Sequence, residues 1–121
     1  MEKVTGIGGF FFRAKDPKGL AKWYNDHLGV SLVPSGAGDE PWHQEAGPTA
    51  FSPSKETTDY FGDMSKVWML NFRVRNMDAM VAQLKGAGIT VGEVQDYPPV
   101  GRFTRIHDPE GNPIELWEPG K

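Results

Sequence analysis

The strongest constraint on this chain is an internal repeat. Residues 9–24 laid over residues 69–84 bring Phe12 onto Phe72, Arg13 onto Arg73, Ala14 onto Val74, Lys15 onto Arg75 and Asp16 onto Asn76. Leu20 then meets Met80, Ala21 meets Val81 and Tyr24 meets Leu84; after one residue of slippage Gly29 meets Gly88 and Val30 meets Ile89. The match lies in pattern more than in identity, and a shared period of about 60 residues is the mark of a duplication. Each copy opens on a short β-prone run, FFFRA (10–14) or MLNFRV (69–74). Asp16 or Asn76 then offers a side chain able to cap a helix start, with Pro17 suited to the first helical turn. Leu20, Trp23, Tyr24 and His27 recur at helical spacing, as do Met77, Met80, Val81 and Leu84, and Gly29 and Gly88 supply a left-handed exit.

Short strands follow each helix. The first half offers GVSLV (29–33), PWHQE (41–45) and PTAFS (48–52); the second offers ITVGEV (89–94), RFTRIH (102–107) and NPIELWE (112–118). Each half therefore reads β-α-β-β-β. The expected organisation is one domain over 1–121, made of modules 1–53 and 67–119 joined by a linker at 54–66, because half-units of this size expose too much surface to stand alone. Residues 34–41 read as a hairpin-type loop. HDPEGN (107–112) reads as a structural turn: proline presets one backbone angle, Asp and Asn bond their own backbone, and glycine accepts a positive φ.

Composition narrows the function classes. A hydrophobic share of 38%, a charged share of 24% and a net charge of −3 are ordinary for a globular domain and leave no basic stripe for nucleic acid. No apolar run approaches the ~20 residues of a membrane span. The opening MEKVTGIGGFFF has neither the basic start nor the apolar stretch of a signal peptide. The absence of cysteine removes disulfides, thiolate metal sites and cysteine nucleophiles together, so a cytoplasmic location is expected. GIGG (6–9) precedes a strand rather than a helix and lacks the context of a dinucleotide site.

Three stretches, GIGGFFFRAKDPKGLAKWYNDHLGV, NFRVRNMDAMVAQLKGAGITV and above all GRFTRIHDPEGNPIELWEP, resemble the vicinal oxygen chelate superfamily. That is the group of glyoxalase I, bleomycin-resistance proteins and extradiol dioxygenases. The resemblance covers nearly the whole chain, with 34–66 matching least. It implies an α+β fold in which two βαβββ modules form a curved mixed sheet around a cleft, and it implies a homodimer, built side by side or by exchanging modules. Catalytic members hold a divalent metal through His, Gln or Glu on the first and last strand of each module. Carried over by position, those places fall on Gly9, Met69, Thr49 and Glu115. Glycine offers no ligand atom, a thioether suits hard divalent ions poorly, and Thr49 offers at best a hydroxyl. Glu115 alone retains the family's ligand type, so no cofactor is expected.

Strand alternation sharpens the expected cleft. If Phe10, Phe12 and Ala14 pack beneath the helix, then Gly9, Phe11 and Arg13 face the cleft. In the second copy Met69, Asn71 and Arg73 do so, opposite Leu70, Phe72 and Val74. On the last strand Glu115 and Trp117 face it, opposite Ile114 and Leu116, and in the first half Thr49 and Phe51 take the equivalent places. The lining is then Phe11, Phe51, Met69 and Trp117 with Asn71, Glu115, Arg13 and Arg73, the mainly apolar mix of small-molecule pockets. The competing reading is that these side chains fill the cleft as a second core, leaving an interaction module. Glu115 reads as a residual metal ligand, a general base, an acceptor for a ligand hydroxyl or amine, or the ion-pair partner of Arg13 or Arg73. His27 suits the last turn of its helix and His107 faces solvent. His43, with Gln44, Glu45 or Glu115, is the candidate for a non-standard metal site.

The expected function is that of a glyoxalase/bleomycin-resistance-like protein binding a small organic ligand in an aromatic cleft without the family's full metal site. The alternative is a metal-dependent lyase, isomerase or dioxygenase with a rearranged site. Expected partners are that ligand and a second copy of the chain, with neither nucleic acid nor membrane.

Overall fold

A computed structural model of the chain describes residues 1–32, 38 and 40–121. Its regular elements are α1 (Pro17–Leu28), β1 (Leu70–Arg73), α2 (Met77–Gly86), β2 (Gln95–Tyr97), β3 (Gly101–His107) and β4 (Pro113–Pro119). The strands form one mixed sheet in the order β1-β4-β3-β2, with β1 parallel to β4 and the other pairs antiparallel. The fold is α+β. The second half follows the expected β-α-β-β-β order.

Both helices start where the sequence places them. The Asp16 carboxylate accepts from Gly19 N at 3.0 Å and Asn76 Oδ1 accepts from Ala79 N at 3.0 Å, each meeting one of the first-turn donors that has no intrahelical partner. Gly29 ends α1 at φ 72°, in the left-handed region that glycine enters without strain. Leu20 and Tyr24 of α1 and Met77 and Leu84 of α2 cover Val74, Ile106, Ile114 and Leu116 on one sheet face. Truncating a fully buried aliphatic such as Leu84 or Leu116 to alanine costs about 2–5 kcal/mol.

The first half departs from expectation. Among the described residues it holds α1 and no strand: 10–14, 29–32, 41–45 and 48–52 join no ladder. Val33 and most of the 34–41 loop lie outside the described residues. A strand exists only through its neighbour, and none of these segments has one among the described residues; 41–45 and 48–52 are in addition bounded by Pro41, Pro48 and Pro53, which donate no backbone hydrogen bond. Phe10 and Phe12 instead pack on Trp68, with ring centroids 5.1 and 5.0 Å away, beside the start of β1. In the second half, 89–94 is also not a strand; it touches β3 through Gly92 N to Arg105 O (2.9 Å) and Thr104 Oγ1 to Gly92 O (2.8 Å), and the ladder begins at Gln95. Residues 55–66 form three successive turns, closed by Thr58 N to Lys55 O, Gly62 N to Asp59 O and Lys66 N to Asp63 O.

The turn between β3 and β4 is built around a buried carboxylate. Asp108 Oδ1 accepts from Glu110 N (2.9 Å) and Asn112 N (3.0 Å), while Oδ2 accepts from Asn112 Nδ2 (2.7 Å) and from the Tyr24 hydroxyl (2.7 Å). Helix α1 is thereby tied to the hairpin by a polar contact inside the core. Burial, reinforced by the Asp108 carboxylate, pushes the Tyr24 phenol far above its ordinary value of 10.0. Replacing Asp108 with alanine strands four donors at once and is expected to cost about 3 kcal/mol or more, read as a fall in melting temperature of about 10 °C or more. Because the fold raises the Tyr24 pKa, its contribution is fully present below the unfolded value near 10.0 and is lost as pH rises beyond it. Denaturant melts of Tyr24→Phe should therefore show a shallower loss of stability above about pH 10 than the parent chain, together with about 1–2 kcal/mol lower stability at neutral pH.

Candidate functional site

The sheet has a second face, turned away from the helices, and the register assigns its residues. Asn71 pairs with Glu115 across β1 and β4, Arg105 with Glu115 and Phe103 with Trp117 across β3 and β4. These five side chains share that face, since residues directly opposite in a ladder point the same way. Phe103 and Trp117 lie parallel, ring centroids 6.1 Å apart and planes within 5°, and Tyr97 stands against Phe103 at 6.0 Å. Trp117 is locked in place, because its indole Nε1 donates to Val100 O at 3.0 Å. Gly101 makes room for this: its φ of 136° suits glycine, and a Cβ there would come within 2.8 Å of Trp117 Nε1 and closer still to the Glu118 carbonyl.

Glu115 is the polar centre of this face and only 9% exposed. Its Oε1 accepts from Asn71 Nδ2 at 2.7 Å, and its Oε2 accepts a short hydrogen bond from the Tyr60 hydroxyl. Tyr60 comes from the turn-rich 55–66 segment and leans over Arg105, whose guanidinium lies 5.0 Å from the ring centroid and donates to Tyr60 O at 2.6 Å. The hydrogen bond to Glu115, then burial and the Glu115 charge, raise the Tyr60 phenol above its ordinary pKa, with Arg105 opposing. Arg105 Nε is buried with no hydrogen-bond partner among the described residues.

The sequence-derived residues therefore separate into groups. Asn71, Glu115 and Trp117 meet on the sheet face, with Met69 half-buried just before β1. Arg73 stands at the end of β1, where Nη2 donates to Glu45 O at 3.0 Å. Glu115 takes its hydrogen bonds from Tyr60 and Asn71, and neither Arg13 nor Arg73 is among its partners. Phe11 and Arg13 line an open hollow of about 360 Å³ with Lys66 and Trp68, apart from Glu115. Phe11 and Phe51 are 93% and 85% exposed, so neither covers the sheet face. Gly9 and Thr49 lie on the same exposed segments as those two phenylalanines. His43 is exposed, 3.7 Å from Glu40; His27 packs against Trp23, rings tilted and centroids 5.4 Å apart; His107 is exposed at the end of β3. Tyr60, Phe103 and Arg105 went unnoticed in the sequence. Extending the alternation rule from Glu115 and Trp117 to their partners on β3 finds the last two; nothing local marks Tyr60, whose placement depends on how the linker folds back.

A family model for a glyoxalase-like domain matches residues 9–117. The chain belongs to the glyoxalase-like family. No curated protein matches it. Solved structures share the fold of this glyoxalase-like chain. TnmS3, an antibiotic binding protein from Streptomyces sp. CB03234, is 22% identical over 99% of this chain and 100% of its own, with a TM-score of 0.67. A glyoxylase/bleomycin resistance protein/dioxygenase domain from Frankia sp. EAN1pec is 19% identical over 97% and 99%, with a TM-score of 0.62. A lactoylglutathione lyase from Agrobacterium tumefaciens is 16% identical over 96% and 95%, with a TM-score of 0.59. At these identities the likeness shows the fold alone.

The metal that the family implies is not fitted by the residues at its positions. Gly9, Thr49 and Met69 supply no anionic or imidazole donor, and both oxygens of Glu115 are engaged by neutral hydrogen-bond donors. Among the described residues no three His, Asp or Glu side chains converge on a point that could hold an ion. Chemically, the face offers a parallel aromatic pair, a carboxylate that accepts from Asn71 and Tyr60, and one cation. No described helix is long and apolar enough to cross a membrane.

Proposed function

We propose that this glyoxalase-like protein binds a small aromatic molecule on the sheet face around Glu115, without the family's metal. The observation that carries the reading is the parallel Phe103–Trp117 pair next to a nearly buried carboxylate. Stacked rings offer a planar ligand dispersion and apolar contact over a wide area, while Glu115 and Asn71 fix its orientation. The expected lining is thus narrowed to Asn71, Glu115 and Trp117 with Phe103 and Arg105, beside Tyr60. That TnmS3, an antibiotic binding protein, has a similar fold accords with a binding role. A cysteine-free chain also suits a reducing compartment such as the cytoplasm.

A thermal-shift and calorimetric panel of planar aromatic compounds tests the reading. At least one compound should raise the melting temperature and bind with a negative heat-capacity change. Trp117→Ala should weaken that compound at least about tenfold, as expected for an aromatic anchor worth more than 1.4 kcal/mol. Silence across the panel, or binding indifferent to Trp117→Ala, would sink the proposal.

The competing enzyme with a rearranged site makes an opposite forecast. The metal-independent reading expects purified protein to carry no stoichiometric divalent ion. One tightly held ion per chain, lost in Glu115→Ala, would favour the enzyme.

We also read the chain as a homodimer. The outer edge of β1 is unpaired among the described residues, and the exposed Phe11 and Phe51 sit on segments without strand partners. Such an edge together with exposed aromatics is a template for pairing with a second copy. Light scattering should return twice the 13.4 kDa chain mass; a monomer at micromolar concentration contradicts this.

A further inference from the structure

Glu115 is satisfied from two sides of unequal rigidity. Asn71 belongs to β1, in register with Glu115, and is fixed by the sheet. Tyr60 belongs to a segment of turns outside the sheet and is 55% exposed. Its grip consists of the hydroxyl on Glu115 Oε2, the carbonyl on Arg105 and the ring over the guanidinium. An aromatic ring bearing a hydroxyl thus already occupies the acceptor beside the Phe103–Trp117 platform. Resting on the sheet-face reading above, we propose that Tyr60 is an internal stand-in for the ligand, displaced when an aromatic compound brings its own hydrogen-bond donor to Glu115.

This assigns a ligand class. Once a ligand ring takes the place of Tyr60, Glu115 Oε2 is again covered from water, and leaving a covered acceptor unpaired is costly. A hydroxyl or amine on the incoming ring restores the bond. An ether leaves it unmade, and a ligand carboxylate meets like charge. Trp117 lies two residues beyond Glu115 on the same face of β4, about 7 Å along the strand. A fused bicyclic ring can therefore reach from the carboxylate to the platform while covering Arg105, whose guanidinium loses the Tyr60 ring on displacement and regains a cation–π partner. Tyr60 then acts as a filter: compounds without a donor cannot repay the bond they break. A site that hydrogen-bonds a ligand hydroxyl rejects analogues lacking it far more strongly than a purely apolar pocket could.

Calorimetry with 2-naphthol, 2-methoxynaphthalene and 2-naphthoate on the full chain and on Tyr60→Phe tests this, with melting curves confirming that the variant is folded. The parent should bind 2-naphthol about tenfold or more tightly than either analogue. Tyr60→Phe keeps the ring but removes the competing hydroxyl, so it should tighten 2-naphthol by about threefold or more while preserving its advantage over the ether. Equal binding of naphthol and ether overturns the donor requirement, and weaker naphthol binding by Tyr60→Phe overturns displacement, since Tyr60 would then be holding the ligand. In both cases the sheet-face reading survives if Trp117→Ala still weakens binding about tenfold or more. No binding by any of the three probes overturns the inference, whereas the sheet-face reading falls only if the wider aromatic panel is silent too.

Discussion

The parallel pairing of β1 with β4 is the contact on which the rest of the structure depends. It sets Leu70 beside Ile114 and Phe72 beside Leu116 on one face, and Asn71 beside Glu115 on the other. The first set closes against two helices and makes the core. The second has no helix over it among the described residues and is the face proposed above to take a ligand. A slip of one residue would put the Glu115 carboxylate into the hydrophobic layer and Ile114 and Leu116 on the open side. Register and the proposed site are therefore specified together: the apolar residues that fix the pairing also fix where Glu115 stands.

Strand β4 and the turn that leads into it carry two buried carboxylates with different roles. Asp108 is saturated by four donors, three within its own turn and one from α1, and nothing is left for a ligand. Its work is to set the hairpin and anchor a helix. Glu115 holds one donor from the sheet and one from the linker, and only the first is fixed by the fold. The number and rigidity of the donors, more than burial, distinguish Asp108 from Glu115, the carboxylate proposed to exchange partners. Arg105 sharpens the contrast, with a cation beside Tyr60 and a buried Nε that has no hydrogen-bond partner among the described residues.

Much of this was legible in the residues. Period-two alternation around Ile114 and Leu116 assigned both faces of β4. Helical spacing and the Asp16 and Asn76 caps placed both helices, and the HDPEGN turn joined the last two strands. The first half was legible only in its helix. FFFRA, PWHQE and PTAFS have strand composition, but a ladder needs a neighbour, and no local pattern states whether one is available. The Tyr60 contact was likewise invisible, because a linker aromatic acquires its partner only when the chain closes over 55 residues of separation. Glu115 was recognised from its place in the family pattern. Its actual partners, an amide and a phenol rather than an arginine, came from geometry that composition does not encode.

The central claim is that the helix-free face of this sheet, centred on Glu115 and Trp117, is where a small molecule sits. Mapping backbone amide shifts by NMR while titrating whichever planar aromatic compound stabilises the protein most is the direct measurement. The account predicts perturbations concentrated at Tyr60, Asn71, Phe103, Arg105, Glu115 and Trp117, with the residues beneath the helices unmoved. Perturbations gathered instead around Phe11, Arg13, Lys66 and Trp68, with Glu115 and Trp117 silent, would contradict it.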